Sequence, residues 1–463
     1  MASLSRREML QASAAGLAGA AATALPGGVS LASAPSQDQI SMRYQTFNVD
    51  AVQDMLNSYV EMNPHVSIEA ISVTGVDHAE VATKILATLA AGNPVDVGFA
   101  CTETTHLYAG QGIAQPLTAR LMDDAEEFME YYADTSPALS EAMLYEGDVF
   151  QLMDTFNAAN MFYNKNLLAA AGLEEPGKDW TKDDFYGMAQ AMTGIDGSFG
   201  YGWTNRFWGS WMPWIFVNDT NVLVEERAPG GEWFWDTFYA DDERAEGRSG
   251  GWRWPAPQAN NPRMVEALEF VVSMIQEGLA PAVELGGGRT LQGFFTSNKL
   301  GMTPAGGFWA GGLYNAGMEP GTFEAQFWPA WRTQRHQLGI CGPWILDGGG
   351  NEDQCWDFLK HYKKAEVQDN LGYFNPVPAT TPSRRSLNTE ERWGPTGVKN
   401  WRIFYETIDE RPDTGPIAQP AFVVELTNIF TRYTSLATNG EQTPQEALDN
   451  MQAEMEDLYA RNA

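Results

Sequence analysis

The stretch Ile40–Phe47, ISMRYQTF, is an apolar-leaning run bounded by polar residues, and apolar side chains at helical spacing follow it. They are Val52, Met55, Leu56, Tyr59 and Val60. This pattern predicts a strand and then an amphipathic helix. The alternation continues, because 66–73 predicts a second strand, 82–89 a second helix and 95–100 a third strand. Alternating elements of this length indicate an α/β fold whose sheet is largely parallel and covered by helices.

Composition narrows the functional classes. The chain has 463 residues, of which 44% are hydrophobic and 19% charged, so its apolar surface suffices for real cores and its length predicts two domains. Sixty acidic residues against 29 basic ones give a formal charge of −31. The electrostatic field of this negative charge repels the phosphate groups of nucleic acids, which argues against nucleic-acid binding. We interpret the excess of acidic residues as a feature that favours solubility. Net charge alone does not identify a ligand.

The first thirty residues have the pattern of an export signal. Arg6 and Arg7 precede a weakly apolar run, 12–25, that contains no charged residue. This resembles a twin-arginine signal peptide, for which we assign residues 1–32 and cleavage after Ala32, with Ala34 as the alternative site. We therefore expect a soluble protein that is exported to the periplasm.

Three cysteines, Cys101, Cys341 and Cys355, permit at most one internal disulfide. Cys341 and Cys355 are the nearer pair in sequence. The alternative is that all three are small buried hydrophobic side chains. Neither the cysteines nor the five scattered histidines have metal-ligand spacing, so we expect no metal site.

Motifs for catalysis are missing from the sequence. It contains no dinucleotide-binding glycine pattern, no phosphate loop, no nucleophile elbow and no zinc-protease motif, so we predict no catalytic residue and no cofactor. A pair of glycosidase carboxylates is a spatial arrangement and cannot be read from spacing. A secreted glycoside hydrolase is therefore kept as the alternative from a different functional class.

Tryptophan is unevenly distributed, with none of the 16 before Trp180. Trp208, Trp211 and Trp214 follow one another at intervals of three beside Gly209, which suits a loop that enters a helix. An indole packs well on the C–H face of a sugar ring. We predict that Trp208 or Trp211 is an aromatic platform for a sugar; the alternative is that these side chains belong to the core.

Five short motifs occur in a family-specific order. They are GNPVDV (92–97), GDVFQL (147–152), MFYNKNLL (161–168), NKLGM (298–302) and GGFW (306–309). Together they closely resemble the extracellular solute-binding proteins, family 1, of ABC importers, the family that includes the maltose-binding protein. The resemblance covers nearly all of the chain after the signal.

The resemblance implies an α/β, two-lobed periplasmic-binding-protein fold of type II, with discontinuous lobes around a hinge and a ligand cleft. The N-terminal lobe would comprise residues 33–153 plus about 340–400, and the C-terminal lobe 156–337 plus about 405–463. Closure of the lobes would trap the ligand. The turn-rich segment 225–257 would be a hairpin excursion that either packs on the second lobe or extends the cleft.

Family position also implies the ligand contacts. They are Asn48, Asp50, Thr102, Glu103, Asp154, Trp208, Trp211, Trp309 and Trp344. Carboxylates and amides among them suit the hydroxyl groups of a sugar. The alternative for these polar residues is that they are ordinary groups of surface loops.

The expected function is capture of a mono- or oligosaccharide and its delivery to an inner-membrane permease and its ATPase, with the binding protein acting as a monomer. The alternative within the family is a phosphorylated polyol such as glycerol phosphate. That ligand would need convergent basic groups, for which Arg206, Arg289, Arg384 and Arg385 are the candidates. For Arg384 and Arg385 the ordinary interpretation is a pair of solvated loop charges.

Overall fold

The computed structural model describes residues 39–75, 77–285, 288–411 and 413–462. The predicted signal, residues 1–32, lies outside the described residues. The strands are β1 Ile40–Thr46, β2 Val66–Ser72, β3 Val97–Cys101, β4 Leu144–Tyr145, β5 Asp148–Val149, β6 Thr155–Ala158, β7 Asn160–Asn164, β8 Phe199–Tyr201, β9 Thr204–Asn205, β10 Glu226–Arg227, β11 Trp252–Arg253, β12 Glu284–Leu285, β13 Leu300–Ala305, β14 Phe323–Gln326, β15 Gln337–Ile345, β16 Thr381–Pro382 and β17 Gly415–Pro416.

Helices cover the sheets. They are Gln53–Met62, His78–Ala90, Thr102–Gly110, Thr118–Asp123, Ala125–Ala133, Pro137–Met143, Lys165–Ala170, Lys182–Met192, Met212–Val217, Glu232–Phe238, Pro262–Gln276, Arg289–Thr296, Phe308–Asn315, Glu352–Tyr362, Ala365–Asp369, Glu390–Trp393, Ile403–Glu410, Val423–Thr438 and Pro444–Asn462. Short turns of helix occur at Glu243–Ala245, Arg385–Leu387 and Gly394–Thr396, and irregular turns at Ile195–Gly197 and Phe207–Trp211. None of the helices that the structure describes combines the length and the apolar character that a membrane crossing needs.

Two sheets organise the molecule. The larger has the strand order β16-β6-β15-β3-β1-β2, with β17 beside β15, and the smaller has the order β14-β7-β13-β8. The predicted strands at 40–47, 66–73 and 95–100 are confirmed as β1, β2 and β3, and β1 runs parallel to both of the others. The expectation of a largely parallel sheet is wrong for the other half, because β15 runs antiparallel to β3 and to β6. The cause is that β15 enters from the smaller sheet rather than through a helical crossover.

The chain passes between the two sheets through short connections. A single residue, Ala159, separates β6 in the larger sheet from β7 in the smaller one. The chain returns between β14 and β15, through residues 327–336. Connections this short keep the inner ends of both sheets close together, so a site between the sheets is built by both.

A disulfide joins two neighbouring strands of the larger sheet. Cys101 of β3 lies directly opposite Cys341 of β15, and the two Cα atoms are 3.9 Å apart. Both interpretations from sequence, a Cys341–Cys355 bridge or three unpaired thiols, are therefore wrong. Cys355 is a buried free thiol in the helix Glu352–Tyr362. The pairing follows the register of the sheet, which joins residues 240 positions apart.

The segment 225–257 packs between two hydrophobic cores. Phe234 and Phe238 contact the ring of Tyr132 in the core of the larger sheet. Trp252 and Trp254 belong to the core of the smaller sheet. The segment therefore packs on the cores of both sheets rather than on the second lobe alone, and none of its residues lines the cavity described below. This segment connects the two halves away from the short crossings.

Candidate ligand-binding site

A cavity of about 500 Å³ lies between the two sheets. Phe47 and Asn48 reach it directly after β1, and Glu103 reaches it from the first turn of the helix that follows β3. The carboxyl ends of these parallel strands meet at one edge, where α/β folds commonly bind ligands. The volume lies within the usual range for small-molecule sites, roughly 300–1,000 Å³.

The opposite wall includes the start of an irregular turn, Phe207–Trp211, in which Trp208 and Gly209 have non-helical backbone angles. Gly209 has φ of 74°, and its backbone N–H donates to Gln337 Oε1 at 2.8 Å, which fixes the turn against β15. Gly339 of β15 lies beneath the indole of Trp208, where an added Cβ would stand 2.5 Å from Trp208 Nε1. The missing side chain at Gly339 therefore lets Trp208 reach the floor of the cavity.

Aromatic rings form much of the cavity surface. Phe47 packs against Phe99 with 5.3 Å between ring centroids and against His78 with 5.5 Å. On the other wall, the rings of Trp208 and Phe308 are 6.1 Å apart. Both walls thus offer flat apolar surface, which is suited to the C–H faces of a ring-shaped ligand.

A few polar groups stand among these rings. The guanidinium of Arg206 lies 5.1 Å from the ring of Trp208, and its Nε donates to the Trp208 carbonyl at 3.0 Å. Burial lowers the pKa of Arg206, an effect that the negative charges of Glu103 and Asp77 oppose. Asp77 also caps the helix His78–Ala90, since its carboxylate accepts from Glu80 N–H at 2.8 Å. Among the described residues that line the cavity, one guanidinium therefore faces two carboxylates.

Two buried polar atoms of the cavity wall have no hydrogen-bond partner in the part of the chain that the structure describes. They are Glu103 Oε2 and Trp208 Nε1. One is an acceptor and the other a donor. A buried polar group without a partner costs roughly 1–3 kcal/mol.

Three of the nine predicted contact residues, Asn48, Glu103 and Trp208, line the cavity. Asp50 is exposed and lies outside the lining, where its N–H donates to Asn48 Oδ1. Thr102 points into the sheet, because its Oγ1 accepts the Ile340 N–H at 3.2 Å. At the cavity, the structure thus brings together Phe47 and Asn48, which directly follow β1, and Glu103. Thr102, the residue before Glu103 in the same helix, does not reach the cavity.

The other predicted tryptophans are core residues. Trp211 donates its Nε1–H to Asn205 Oδ1 at 2.7 Å, and Trp344 stacks on Tyr108 with 4.8 Å between ring centroids. Trp309 is 7% exposed and packs in the core beneath the smaller sheet. Its neighbour Phe308 takes the place at the cavity. Consecutive side chains of a helix point about 100° apart. The GGFW motif therefore indicated the correct turn, but the side chain that reaches the cavity is Phe308 and not Trp309.

Most of the apolar residues that line the cavity were not predicted from the sequence. Phe47, Phe99 and Tyr373 carry no motif, and Tyr373 arrives from a loop more than 300 positions away in sequence from Thr46, its hydrogen-bond partner at 2.7 Å. A usable signal existed for Phe47, which is the last residue of the predicted first strand, Ile40–Phe47. The others are brought in by tertiary contacts alone.

The basic residues considered for a phosphorylated ligand are dispersed. Arg384 is fully buried, with Glu130 at 2.8 Å, so its interpretation as a solvated loop charge is wrong. Arg385 pairs with Asp409 at 3.0 Å. Arg289 is not part of the lining, which leaves Arg206 as the candidate that reaches the cavity.

Asp154 is buried directly before β6 and accepts a hydrogen bond from the hydroxyl of Tyr362, and it is not among the residues that line the cavity. Burial raises the pKa of its carboxyl from 3.8 to about 7, although the Tyr362 hydrogen bond opposes the shift. A raised pKa favours the protonated folded state, so the stabilisation is complete below pH 4 and is lost as the pH rises through about 7.

We therefore expect the unfolding free energy of the wild type to fall by roughly 2–3 kcal/mol between pH 5 and pH 8, relative to the Asp154→Asn variant. Asparagine keeps an acceptor for Tyr362 and cannot ionise in this range. Urea unfolding of both proteins at several pH values measures the difference. Parallel pH profiles would contradict the assignment.

Two sheets joined by short crossings, with helices on their faces and a cavity between them, define a two-lobed α/β binding protein. A family model described as bacterial extracellular solute-binding protein matches residues 54–391, and the chain belongs to this family. A curated binding protein of Brucella abortus is 25% identical over 221 residues, which cover 47% of this chain and 46% of that protein. The match thus spans about half the length of the curated relatives.

Solved structures show the same fold. An ABC substrate-binding protein of Listeria monocytogenes in complex with cycloalternan superposes with a TM-score of 0.70 at 15% identity, over 92% of this chain and 100% of that one. A maltose-bound protein of T. maritima superposes with a TM-score of 0.70 at 16% identity, over 90% of this chain and 100% of that one. An ABC transporter solute-binding protein of Agrobacterium radiobacter in complex with ribitol superposes with a TM-score of 0.71 at 17% identity, over 91% of this chain and 99% of that one. The predicted family and the two-lobed α/β fold are confirmed.

Proposed function

We propose that this protein is the carbohydrate-binding component of an ABC importer. It captures a neutral sugar or polyol between its lobes and hands it to a membrane permease driven by an ATPase. The observation that carries the proposal is the cavity itself, with aromatic surface on both walls and the polar side chains of Asn48 and Glu103 among its lining residues. Structures of the same fold bound to cycloalternan, maltose and ribitol support this class of ligand.

Charge at the cavity favours a neutral ligand over a phosphorylated one. A phosphate group needs convergent cations, whereas here Arg206 is accompanied by the carboxylates of Glu103 and Asp77. Those carboxylates are acceptors for hydroxyl groups. In our proposal Glu103 accepts from a ligand hydroxyl, Trp208 supplies the aromatic platform and Asn48 contributes a polar contact.

The lobes of the proposal correspond to the two sheets. We assign the larger sheet to the N-terminal lobe, residues 33–153 plus a return that begins near residue 340, and the smaller sheet to the C-terminal lobe. After β16 the chain alternates between the two cores: Trp393 packs in the core beneath the smaller sheet, Tyr405 packs in the core of the larger sheet, and β17 pairs with β15 in the larger sheet. Ligand binding then shifts the population from open to closed arrangements. The closed monomer in the periplasm is the form that the permease reads.

The first test is a thermal-shift screen of the purified protein against sugars, polyols, phosphorylated polyols and amino acids. A ligand that binds only the folded state raises Tm by mass action. We expect a shift with neutral sugars or polyols and recovery of the ligand unchanged. A shift only with phosphorylated polyols would replace the proposed ligand class, and product release would indicate a hydrolase.

Replacing Trp208 by alanine should weaken binding of the ligand so identified by about 1–3 kcal/mol, because the ligand loses one buried aromatic contact. Isothermal titration calorimetry measures the change. Trp331→Ala is the matched control, since Trp331 is partly buried against Phe270 and lies outside the cavity lining. Equal affinity in a folded Trp208→Ala protein would remove Trp208 from the site.

A further inference from the structure

At one corner of the cavity wall, three side chains of metal-ligating types lie close together. A ring nitrogen of His78 and the sulfur atoms of Cys101 and Cys341 all lie within 4.8 Å of one another. Cys341 and His78 line the cavity, whereas Cys101 is buried behind them. The residues come from three different elements, β3, β15 and the first turn of the helix His78–Ala90.

In the structure the two sulfur atoms are joined as a disulfide, which leaves no thiolate for a cation. The sheet holds both cysteines in register whether or not this bond is present, because neighbouring residues of β3 and β15 also pair. Reduction would therefore leave two thiols beside one imidazole. Two thiolates and one imidazole with an open fourth position is a ligand set that suits Zn²⁺.

A carboxylate stands next to this group. Glu103 Oε1 lies 3.7 Å from His78 Nε2, and the side chain of Glu103 is 13% exposed. Carboxylates in this position commonly orient a metal-binding imidazole through the nitrogen that does not bind the metal. Glu103 therefore suits a positioning role toward His78 in which Nδ1 binds the cation and Nε2 faces the carboxylate, and water would complete the coordination.

We propose that reduction of the Cys101–Cys341 disulfide creates a Zn²⁺ site formed by Cys101, Cys341 and His78 in the wall of the ligand cavity. A dithiol supplies two electrons and two protons, the S–S bond breaks to give two thiols, and the dithiol is oxidised to its own disulfide. Each cysteine thiol then releases its proton when the cation binds. The three proposed metal ligands are not among the proposed sugar contacts, but His78 and Cys341 line the same cavity, and Glu103 serves both sites.

The test uses Co²⁺ as a spectroscopic probe and Zn²⁺ as its competitor. The full chain, purified in air, is divided into an untreated sample and one reduced with a phosphine, and both are titrated without oxygen. We expect the reduced protein to bind one Co²⁺ with sulfur-to-cobalt charge-transfer absorption, and Zn²⁺ to displace it. The untreated protein should show neither, and under denaturing conditions it should have one free thiol, that of Cys355.

Variants separate the three ligands from the remaining cysteine. Cys355→Ser is the matched control and should bind Co²⁺ as the wild type does. His78→Ala should weaken binding at least tenfold, and Glu103→Gln by about 10–100-fold. Because Cys101→Ser removes the disulfide and threatens folding, His78→Ala is the decisive variant. Equal Co²⁺ binding before and after reduction, no charge-transfer absorption after reduction, or unchanged affinity in His78→Ala would overturn the proposal.

Discussion

Replacing Glu141 by alanine is expected to lower the free energy of unfolding by about 3–5 kcal/mol, the usual cost of breaking a buried ion pair from one side. The carboxylate is 1% exposed and lies 2.8 Å from Arg248, whose side chain is 9% exposed, and 2.5 Å from Arg227. It also accepts the Ser249 N–H at 2.9 Å. Without Glu141, the Arg248 guanidinium stays buried with no carboxylate among these contacts.

The effect should extend beyond one ion pair, since Arg227, Arg248 and Ser249 all belong to the segment that packs between the two cores. Burial lowers the pKa of Arg248, and the charge of Glu141 opposes this. Removal of the carboxylate therefore leaves the burial cost without compensation. Loosening of the segment would also show as faster hydrogen exchange within residues 225–257.

Chemical denaturation of Glu141→Ala measures the loss. Arg263→Ala is the matched control, because the Arg263–Asp219 pair is about half exposed on both sides and should contribute less than about 1 kcal/mol. The Glu141→Gln variant keeps a hydrogen-bond acceptor and the shape of the side chain but loses the charge. Its loss of unfolding free energy should lie between those of Glu141→Ala and Arg263→Ala. A loss in Glu141→Ala as small as that of the control would refute the importance of the buried pair.

Trp309→Ala is expected to destabilise the protein by about 3–5 kcal/mol while leaving the affinity of the folded protein for its ligand nearly unchanged. The indole packs edge-on against Phe295 at 5.5 Å and Phe162 at 6.1 Å between ring centroids. Truncation to alanine leaves a void in this core, whereas the cavity surface is formed by the neighbouring Phe308.

Denaturation and calorimetry on the same sample distinguish this role from ligand stacking. Trp309→Phe retains most of the core contacts and should lose less stability than the alanine variant. Trp208→Ala should show the larger loss of affinity. If Trp309→Ala instead keeps its stability and loses binding, the stacking role expected from the GGFW motif is restored.

Sequence patterns predicted the first three strands well because each depends on neighbours in the chain. Alternation and helical spacing in residues 40–100 report which face of an element is apolar. The turn at Trp208 was likewise visible from Gly209, which adopts the positive φ that glycine favours. Local regularity therefore sufficed for the elements and for the approximate positions of the cavity loops.

Sequence could not distinguish which side chain of each loop reaches the cavity. Glu103 faces it and Thr102 does not, and Phe308 faces it where Trp309 was predicted. Neighbouring residues in one turn differ only in rotation about the helix axis. That rotation is set by packing against a core whose other members lie far away in sequence, so no local pattern reports it.

By itself, then, the sequence determined the family, the α/β class and the stretches that approach the cavity, because these depend on short-range periodicity and on motif order. The tertiary structure alone decided the mixed direction of the larger sheet, the Cys101–Cys341 pairing and the burial of Arg384. Each of these joins residues that are hundreds of positions apart. The physical reason is that strand register and core packing are collective properties of the folded chain, fixed only when both partners are in place.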